Sequence, residues 1–199
     1  MKIGIYGGTF NPIHKGHVHI LKEFTERIGL DMVLLIPTHV PPHKASLTLA
    51  SAEDRINMCR LALEDAGISC EVSDIEIKRE GKSYTALTLQ QLREVYPDDE
   101  FYLLMGEDMF MTIQKWYHPE IIFAQATICG TPRSDDGYLS MCAHGEELKK
   151  NFGTRYIVEN IPYFPASSTE VRDNIGNREK LTGLLPKPVI DYILERDIY

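Results

Sequence analysis

The sequence lacks the features that mark a membrane protein, a secreted scaffold or a nucleic-acid binder. Across its 199 residues no apolar run approaches the length of a membrane span. Met1-Lys2 leads straight into Ile3-Gly4-Ile5-Tyr6, which predicts no signal peptide. Cys59, Cys70, Cys129 and Cys142 show no C-x-x-C spacing, which argues against a zinc or redox site. Cys59 and Cys129 fall in apolar periodic segments and are expected as buried free thiols. Positive charge is in deficit: 21 Lys and Arg against 29 Asp and Glu give a net charge of −8. That balance argues against non-specific binding to nucleic acid or to an anionic membrane. It leaves a small anionic ligand open, because backbone donors and a few local cations suffice for one. Internal repeats, low-complexity tracts and interdomain linkers are also missing. The expectation is one domain over 1–199 in the cytoplasm, with no nucleic-acid or membrane partner. Homo-oligomerisation stays open.

What is present is an alternation. Apolar strand-like runs occur at Lys2–Tyr6, Met32–Ile36, Cys70–Ser73, Phe101–Met105, Ala126–Gly130 and Arg155–Val158. Helical patterns occur at about Gly16–Ile28, Ala52–Ala66, Thr85–Val95, Glu146–Asn151, Ser168–Asn174 and Pro188–Glu195. Strands alternating with helices predict an α/β fold with an open parallel sheet, Rossmann-like, with helices on both faces and a small C-terminal helical part. Pro37–Leu49 and Thr131–Tyr138 read as loops, punctuated by Pro37, Pro41, Pro42, Pro132 and Gly137. In such a sheet ligands bind beyond the carboxyl ends of the strands. Gly7–His17, Thr38–Lys44 and Gly106–Asp108 would all open there.

The richest of these segments is Gly7-Gly8-Thr9-Phe10-Asn11-Pro12-Ile13-His14-Lys15-Gly16-His17. Gly7 and Gly8 would let a phosphate approach backbone N–H groups at a strand end. His14 and His17, three residues apart at a helix start, would share a face and stabilise charge on a polyphosphate. The competing structural reading is a tight strand–helix turn with incidental polar residues; the added H-x-x-H favours function. Far along the chain, Ser167-Ser168-Thr169-Glu170-Val171-Arg172 opens another helix. Ser167 and Glu170 match an ordinary capping box. The same groups, with Arg172 one turn on, also suit a phosphate.

Taken together, these two segments resemble the nucleotidyltransferase superfamily with the H-x-G-H motif. More narrowly, the chain resembles the bacterial nicotinate-nucleotide adenylyltransferases from Gly4 to about Tyr192. Pro41-Pro42-His43-Lys44, Ser83-Tyr84-Thr85, Gly106-Glu107-Asp108 and Trp116-Tyr117 carry that narrower match. The resemblance implies an enzyme that joins nicotinate mononucleotide to ATP, giving deamido-NAD and pyrophosphate in NAD biosynthesis. It implies catalytic roles for His14, His17 and Arg172. Gly7, Gly8, Thr9, Phe10, Lys44, Gly106, Asp108, Ser168 and Thr169 would bind ATP. No resident metal site is implied; Mg²⁺ would arrive bound to ATP. The chain departs from the family pattern at Asn11 (usually Asp), Glu107 (often small and apolar) and Thr131-Pro132-Arg133 (usually Arg-Pro-Gly). Arg133 therefore receives no role.

The acceptor end is expected at Ser83, Tyr84, Thr85, Trp116 and Tyr117. Thr85 opens a helix whose N-terminus attracts an anion. Trp116, the single tryptophan, could stack on a pyridine ring at roughly 4.5–7 Å between centroids. A ring carboxylate facing N–H donors would be favoured over an amide by about 1–3 kcal/mol. Rival readings are a phosphopantetheine adenylyltransferase, an alcohol-phosphate cytidylyltransferase, and a non-catalytic nucleotide-binding protein of the same fold.

Overall fold

A computed structural model describes residues 1–40, 49–64 and 66–199, with Asp135 described by its backbone alone. The Pro41–Lys44 motif, and with it Lys44, lies outside the described residues.

Six strands form one sheet: β1 (Lys2–Gly8), β2 (Met32–Pro37), β3 (Cys70–Val72), β4 (Glu100–Gly106), β5 (Ala126–Thr131) and β6 (Tyr156–Val158). Every pairing is parallel, in the order β3-β2-β1-β4-β5-β6. The order reverses between β1 and β4, and there the strand-end loops diverge and leave a crevice. The helices among the described residues are α1 (Lys15–Ile28), α2 (Ala52–Leu63), α3 (Thr85–Val95), α4 (Glu107–Phe110), α5 (Pro119–Gln125), α6 (Asp135–Phe152), α7 (Ser168–Asp173), α8 (Arg178–Leu184) and α9 (Lys187–Arg196). A 3-10 turn spans Ile113–Lys115. None of the described helices is long and apolar enough to cross a membrane.

Strand side chains alternate between two cores. Val33, Leu35, Tyr102, Leu104 and Cys129 face one cluster with Leu21 and Phe24 of α1, Met58 and Cys59 of α2, and α8 and α9. Ile3, Ile5, Leu34, Ile36, Leu103, Met105 and Ile128 face the other, with Leu89 of α3, Ile122 of α5 and Met141 of α6. The period of two puts both faces of the sheet under helices, as continuous apolar strands require. Cys59 and Cys129 are buried free thiols, and burial raises both above the usual thiol range.

The largest difference from the sequence expectation is α6. Thr131–Tyr138 reads as a loop, yet α6 begins at Asp135, and the expected Glu146–Asn151 is only its last part. The turn-forming residues serve as a helix start: Ser134 accepts the Gly137 N–H at 3.2 Å. Gly137 leaves room for the Glu107 carboxylate, which a Cβ there would approach to 2.7 Å and push aside. The short helices α4, α5 and α8 lack enough turns to show a periodic stripe and were not expected. Conversely, α2 stops at Leu63, three residues before the expected end.

Candidate active site

At the carboxyl ends of β1 and β4 lies a cleft of about 520 Å³. Its wall includes Gly7, Gly8, Thr9 and His14 from the first motif, and Gly106 and Asp108 after β4. Tyr84, Thr85, Trp116 and Tyr117 line it from the other side, and Ser167 from the far end of the chain. Segments from across the whole sequence therefore meet in one space.

The loop after β1 is built around Phe10. Its φ of 45° turns the ring under Gly8 and against Tyr6 and His17, at 5.7 and 5.1 Å between centroids. A Cβ on Gly8 would lie 2.7 Å from that ring, so Gly8 has a packing reason beyond any phosphate. Gly7 differs: a Cβ there would meet nothing within 4 Å. Phe10 is itself 2% exposed, so its side chain belongs to the core, and only its backbone can face a nucleotide.

His14 precedes α1, and its ring stacks on His17 at 3.7 Å. The His14 N–H donates to His17 Nδ1 at 3.2 Å. Nδ1 is therefore the acceptor, and Nε2 is the nitrogen that carries the proton. Burial lowers the His14 pKa from 6.5 to about 4, so its ring is neutral at pH 7. His14 Nδ1 is buried without a hydrogen-bond partner among the described residues, as is Thr131 Oγ1. Both residues line the cleft. Gly16 lets the chain pass the ring closely, since a Cβ there would lie 3.1 Å from His14.

The C-terminal motif closes on this loop. Ser167 accepts the Glu170 N–H at 3.1 Å, as a capping residue does. Ser168 Oγ donates to the Pro12 carbonyl at 2.8 Å. Arg172 donates to the Asn11 carbonyl at 2.6 Å and to Thr169 Oγ1 at 3.1 Å. Two of its five N–H groups are thus committed. The Asn11 side-chain oxygen accepts both the Ala50 N–H and the Tyr199 hydroxyl, each at 2.9 Å.

Two of the departures from the family pattern, Glu107 and Arg133, meet beside Asp108. Glu107 accepts the Arg133 N–H at 2.9 Å, and the Arg133 guanidinium pairs with Asp108 at 2.7 Å. Glu107 thereby anchors the segment that brings Arg133 to Asp108.

At the other end, Tyr84 and Tyr117 stack at 4.2 Å. Trp116 is half-buried and packs against the second core while also lining the cleft. Tyr84 precedes α3 and provides no side-chain cap for it. Ser83 is 6% exposed, and its hydroxyl accepts the His39 N–H at 3.0 Å.

Two buried charged residues were not anticipated. Arg55 is 2% exposed and donates to the carbonyls of Thr9, Thr38 and Ala50, at 2.9, 2.7 and 3.3 Å. It ties the loops after β1 and β2 together. Its signal is legible in hindsight: Arg55 shares an α2 stripe with buried Met58 and Ala62. Glu76 is 6% exposed and lines the cleft. Burial pushes its carboxyl up, while hydrogen bonds from Thr88 and Ser83 and the charge of Arg79 pull it back. Nothing in Asp74-Ile75-Glu76-Ile77-Lys78 signals this, since the alternation resembles an exposed edge.

Comparison with known proteins places the chain in a family. The cytidylyltransferase-like family model matches residues 5–174. A relative from Dictyoglomus thermophilum, described as a probable nicotinate-nucleotide adenylyltransferase, is 38% identical and covers 100% of both chains. One from Oceanobacillus iheyensis with the same description is 37% identical, covering 100% of this chain and 96% of its own. Among solved structures, the Plasmodium falciparum nicotinic acid mononucleotide adenylyltransferase complexed with NaAD superposes with a TM-score of 0.80. It is 22% identical and covers 100% of this chain and 97% of its own, which shows a shared fold. The chain belongs to the cytidylyltransferase-like family and, within it, to the nicotinate-nucleotide adenylyltransferases.

Proposed function

We propose that this chain transfers the adenylyl group of ATP to nicotinate mononucleotide, giving deamido-NAD and pyrophosphate in NAD biosynthesis. The observation that carries the reading is the single cleft at the β1/β4 switch point. It joins a phosphate-suited end, at His14 and Ser167, to an aromatic end, at Tyr84, Trp116 and Tyr117. An alcohol-phosphate acceptor offers nothing for that aromatic end to stack on.

His14 and His17 contact the ATP phosphates, and His17 presents Nε2–H as donor. Ser168 and Thr169 hold the β- and γ-phosphates. Arg172 holds the leaving pyrophosphate, using N–H groups beyond the two committed to Asn11 and Thr169. Gly7, Gly8, Thr9 and the Phe10 backbone line the join between the nucleotides. Gly106 and Asp108 hold the adenosine ribose. Trp116 stacks on the nicotinate ring, and the N–H groups of Thr85 and Tyr117 face its carboxylate.

The acceptor 5′-phosphate is already ionised at pH 7, so no general base is required. Its oxygen forms a bond to the α-phosphorus of ATP as the bond to the bridging β-oxygen breaks in line. The electron pair leaves with pyrophosphate. The chain contributes position and charge stabilisation, which is most of what phosphoryl chemistry needs. Imidazoles, hydroxyls and a guanidinium suit phosphate oxygens. Among the described residues no cluster of three or more His, Cys, Asp or Glu could hold a metal. Mg²⁺ would enter with ATP and would supply charge neutralisation at its phosphates.

The free thiols Cys59, Cys70, Cys129 and Cys142 suit a reducing cytoplasm, where ATP is supplied. The reading treats 1–199 as one nucleotidyltransferase domain. The test is pyrophosphate release from ATP with nicotinate mononucleotide, nicotinamide mononucleotide, phosphopantetheine and no acceptor. Release is expected with the first at the highest kcat/KM. Equal values for acid and amide would remove the carboxylate argument, and release with none would sink the reading.

A further inference from the structure

Glu76 is a buried carboxylate in the cleft wall that the reaction does not use. It sits in an irregular segment between β3 and α3, and the groups around it come from three places. Thr88 Oγ1, one turn into α3, donates to Glu76 Oε1 at 2.7 Å. Arg79 donates to the same Thr88 oxygen at 3.0 Å and to Gln91 of α3 at 2.6 Å. Ser83 lines the cleft wall with Glu76. The Ser83 oxygen in turn accepts the His39 N–H, from the loop after β2. His39 is fixed again by a ring-nitrogen contact to the Arg79 carbonyl at 3.2 Å.

The direction of each bond follows from the groups. A backbone N–H and a guanidinium only donate, so the Ser83 and Thr88 oxygens accept from them. Each hydroxyl has one hydrogen left, and Glu76 takes that of Thr88, whose oxygen also lies 3.3 Å from the Tyr84 carbonyl. The Thr88 hydroxyl is thus held by a carboxylate behind it. Ser83, expected at the acceptor end, lines the cleft and accepts from His39. Tyr84 and Thr85 lie in the turn just before Thr88, and Tyr84 stacks on Tyr117 in the cleft wall. Through Thr88, Glu76 therefore grips the start of α3 behind the aromatic end.

We infer that Glu76 is a positioning residue for the acceptor ring: by holding the Thr88 hydroxyl it fixes the Tyr84–Thr85 corner and thereby sets the preference for acid over amide. This rests on the acceptor assignment proposed above. The brace never touches the acceptor. It keeps the donors at Thr85 in place, and a corner free to shift would accommodate an amide oxygen as readily as a carboxylate.

Glu76→Gln tests this with little change in volume. In place of the carboxylate the Thr88 hydroxyl then faces either a weaker neutral acceptor or an NH₂ donor that displaces it. Displacing a buried hydrogen bond should raise the acceptor KM about tenfold and cut the acid-over-amide ratio of kcat/KM by about the same factor. The KM for ATP should stay within about twofold. Thr88→Val should reproduce the effect and Thr88→Ser should restore wild-type values, which separates a loss of the hydroxyl from a loss of packing. If Glu76→Gln and Thr88→Val lower the melting temperature while acceptor KM and the acid/amide ratio stay at wild-type values, the brace is only structural and the inference fails. If acceptor and ATP KM rise together, it fails as well. A wild-type enzyme that shows no acid preference would overturn the acceptor assignment itself, a result distinct from either.

Discussion

At the phosphate end of the cleft, side chains from distant segments bind the backbone of one loop. Ser168 and Arg172 reach the carbonyls of Pro12 and Asn11, and Arg55 reaches that of Thr9. At the acceptor end the visible wall is aromatic, and its polar support lies behind it in Glu76, Ser83 and Thr88. One end therefore uses the same residues for building and for binding, while the other separates the two tasks. Damage at the phosphate end should cost stability and turnover together. Damage at the acceptor end should move recognition of the acceptor alone.

The strongest way to break that comparison is His17→Ala. Loss of a donor aimed at developing phosphate charge typically costs about 10²–10³ in rate. We expect kcat to fall by that factor, with acceptor KM changed by no more than about threefold. Near-normal turnover would detach the histidine pair from the chemistry.

His14 gives the next largest effect, through pH. Its folded pKa is about 4, against 6.5 for a free imidazole. Above pH 6.5 both states are neutral at this site and its contribution to stability is complete. As pH falls toward 4, the unfolded chain binds a proton that the folded chain refuses, so stability falls. The full loss is about 3 kcal/mol. Urea unfolding at pH 7 and pH 4.5 should therefore separate wild type from His14→Gln, with the variant showing a shallower decline. Parallel declines would mean the ring is not held neutral. Phosphate in the cleft should oppose this shift, so ATP should be taken up with a fraction of a proton near pH 6.

A pair of substitutions sharpens the contrast. Arg172→Ala should raise the KM for ATP by about 10- to 100-fold, the range for losing charged hydrogen bonds. It should also lower the melting temperature, because the Asn11 anchor goes with it. Trp116→Ala should raise acceptor KM by about tenfold, the scale of one aromatic stack, and leave ATP KM unchanged. Crossed results, with Trp116 affecting ATP or Arg172 affecting only the acceptor, would dissolve the division.

The same division explains what the sequence made legible. The first motif compresses a strand end, two glycines and two histidines into eleven residues, so its chemistry is local and readable. Ser167 and Glu170 are likewise a local signature, and Ser167 does cap α7. The alternating strands announced both faces of the sheet. What stayed hidden depends on segments meeting in space. Glu76 is buried only because α3 and the loop after β2 close over it. The start of α6 looked like a turn because its partner, Glu107, lies thirty residues upstream. The packing reason for Gly8 needed the left-handed Phe10, which no periodicity reports.

The smallest expected effect probes how far the phosphate end extends. Tyr199 donates to the Asn11 side chain at 2.9 Å, and the same oxygen accepts the Ala50 N–H. Asn11 in turn presents the carbonyl that Arg172 holds. The last residue of the chain is therefore two hydrogen bonds from the proposed grip on pyrophosphate. Tyr199→Phe removes one hydroxyl and keeps the ring, so the cost should be about 1 kcal/mol of stability. Because Asn11 keeps the Ala50 bond, ATP KM should rise only about two- to threefold, and acceptor KM should not move. A larger rise in ATP KM than Arg172→Ala produces would mean that the loop is positioned chiefly from the C-terminus. No change in either quantity would confine the phosphate end to Asn11, Arg172 and the residues between β1 and α1.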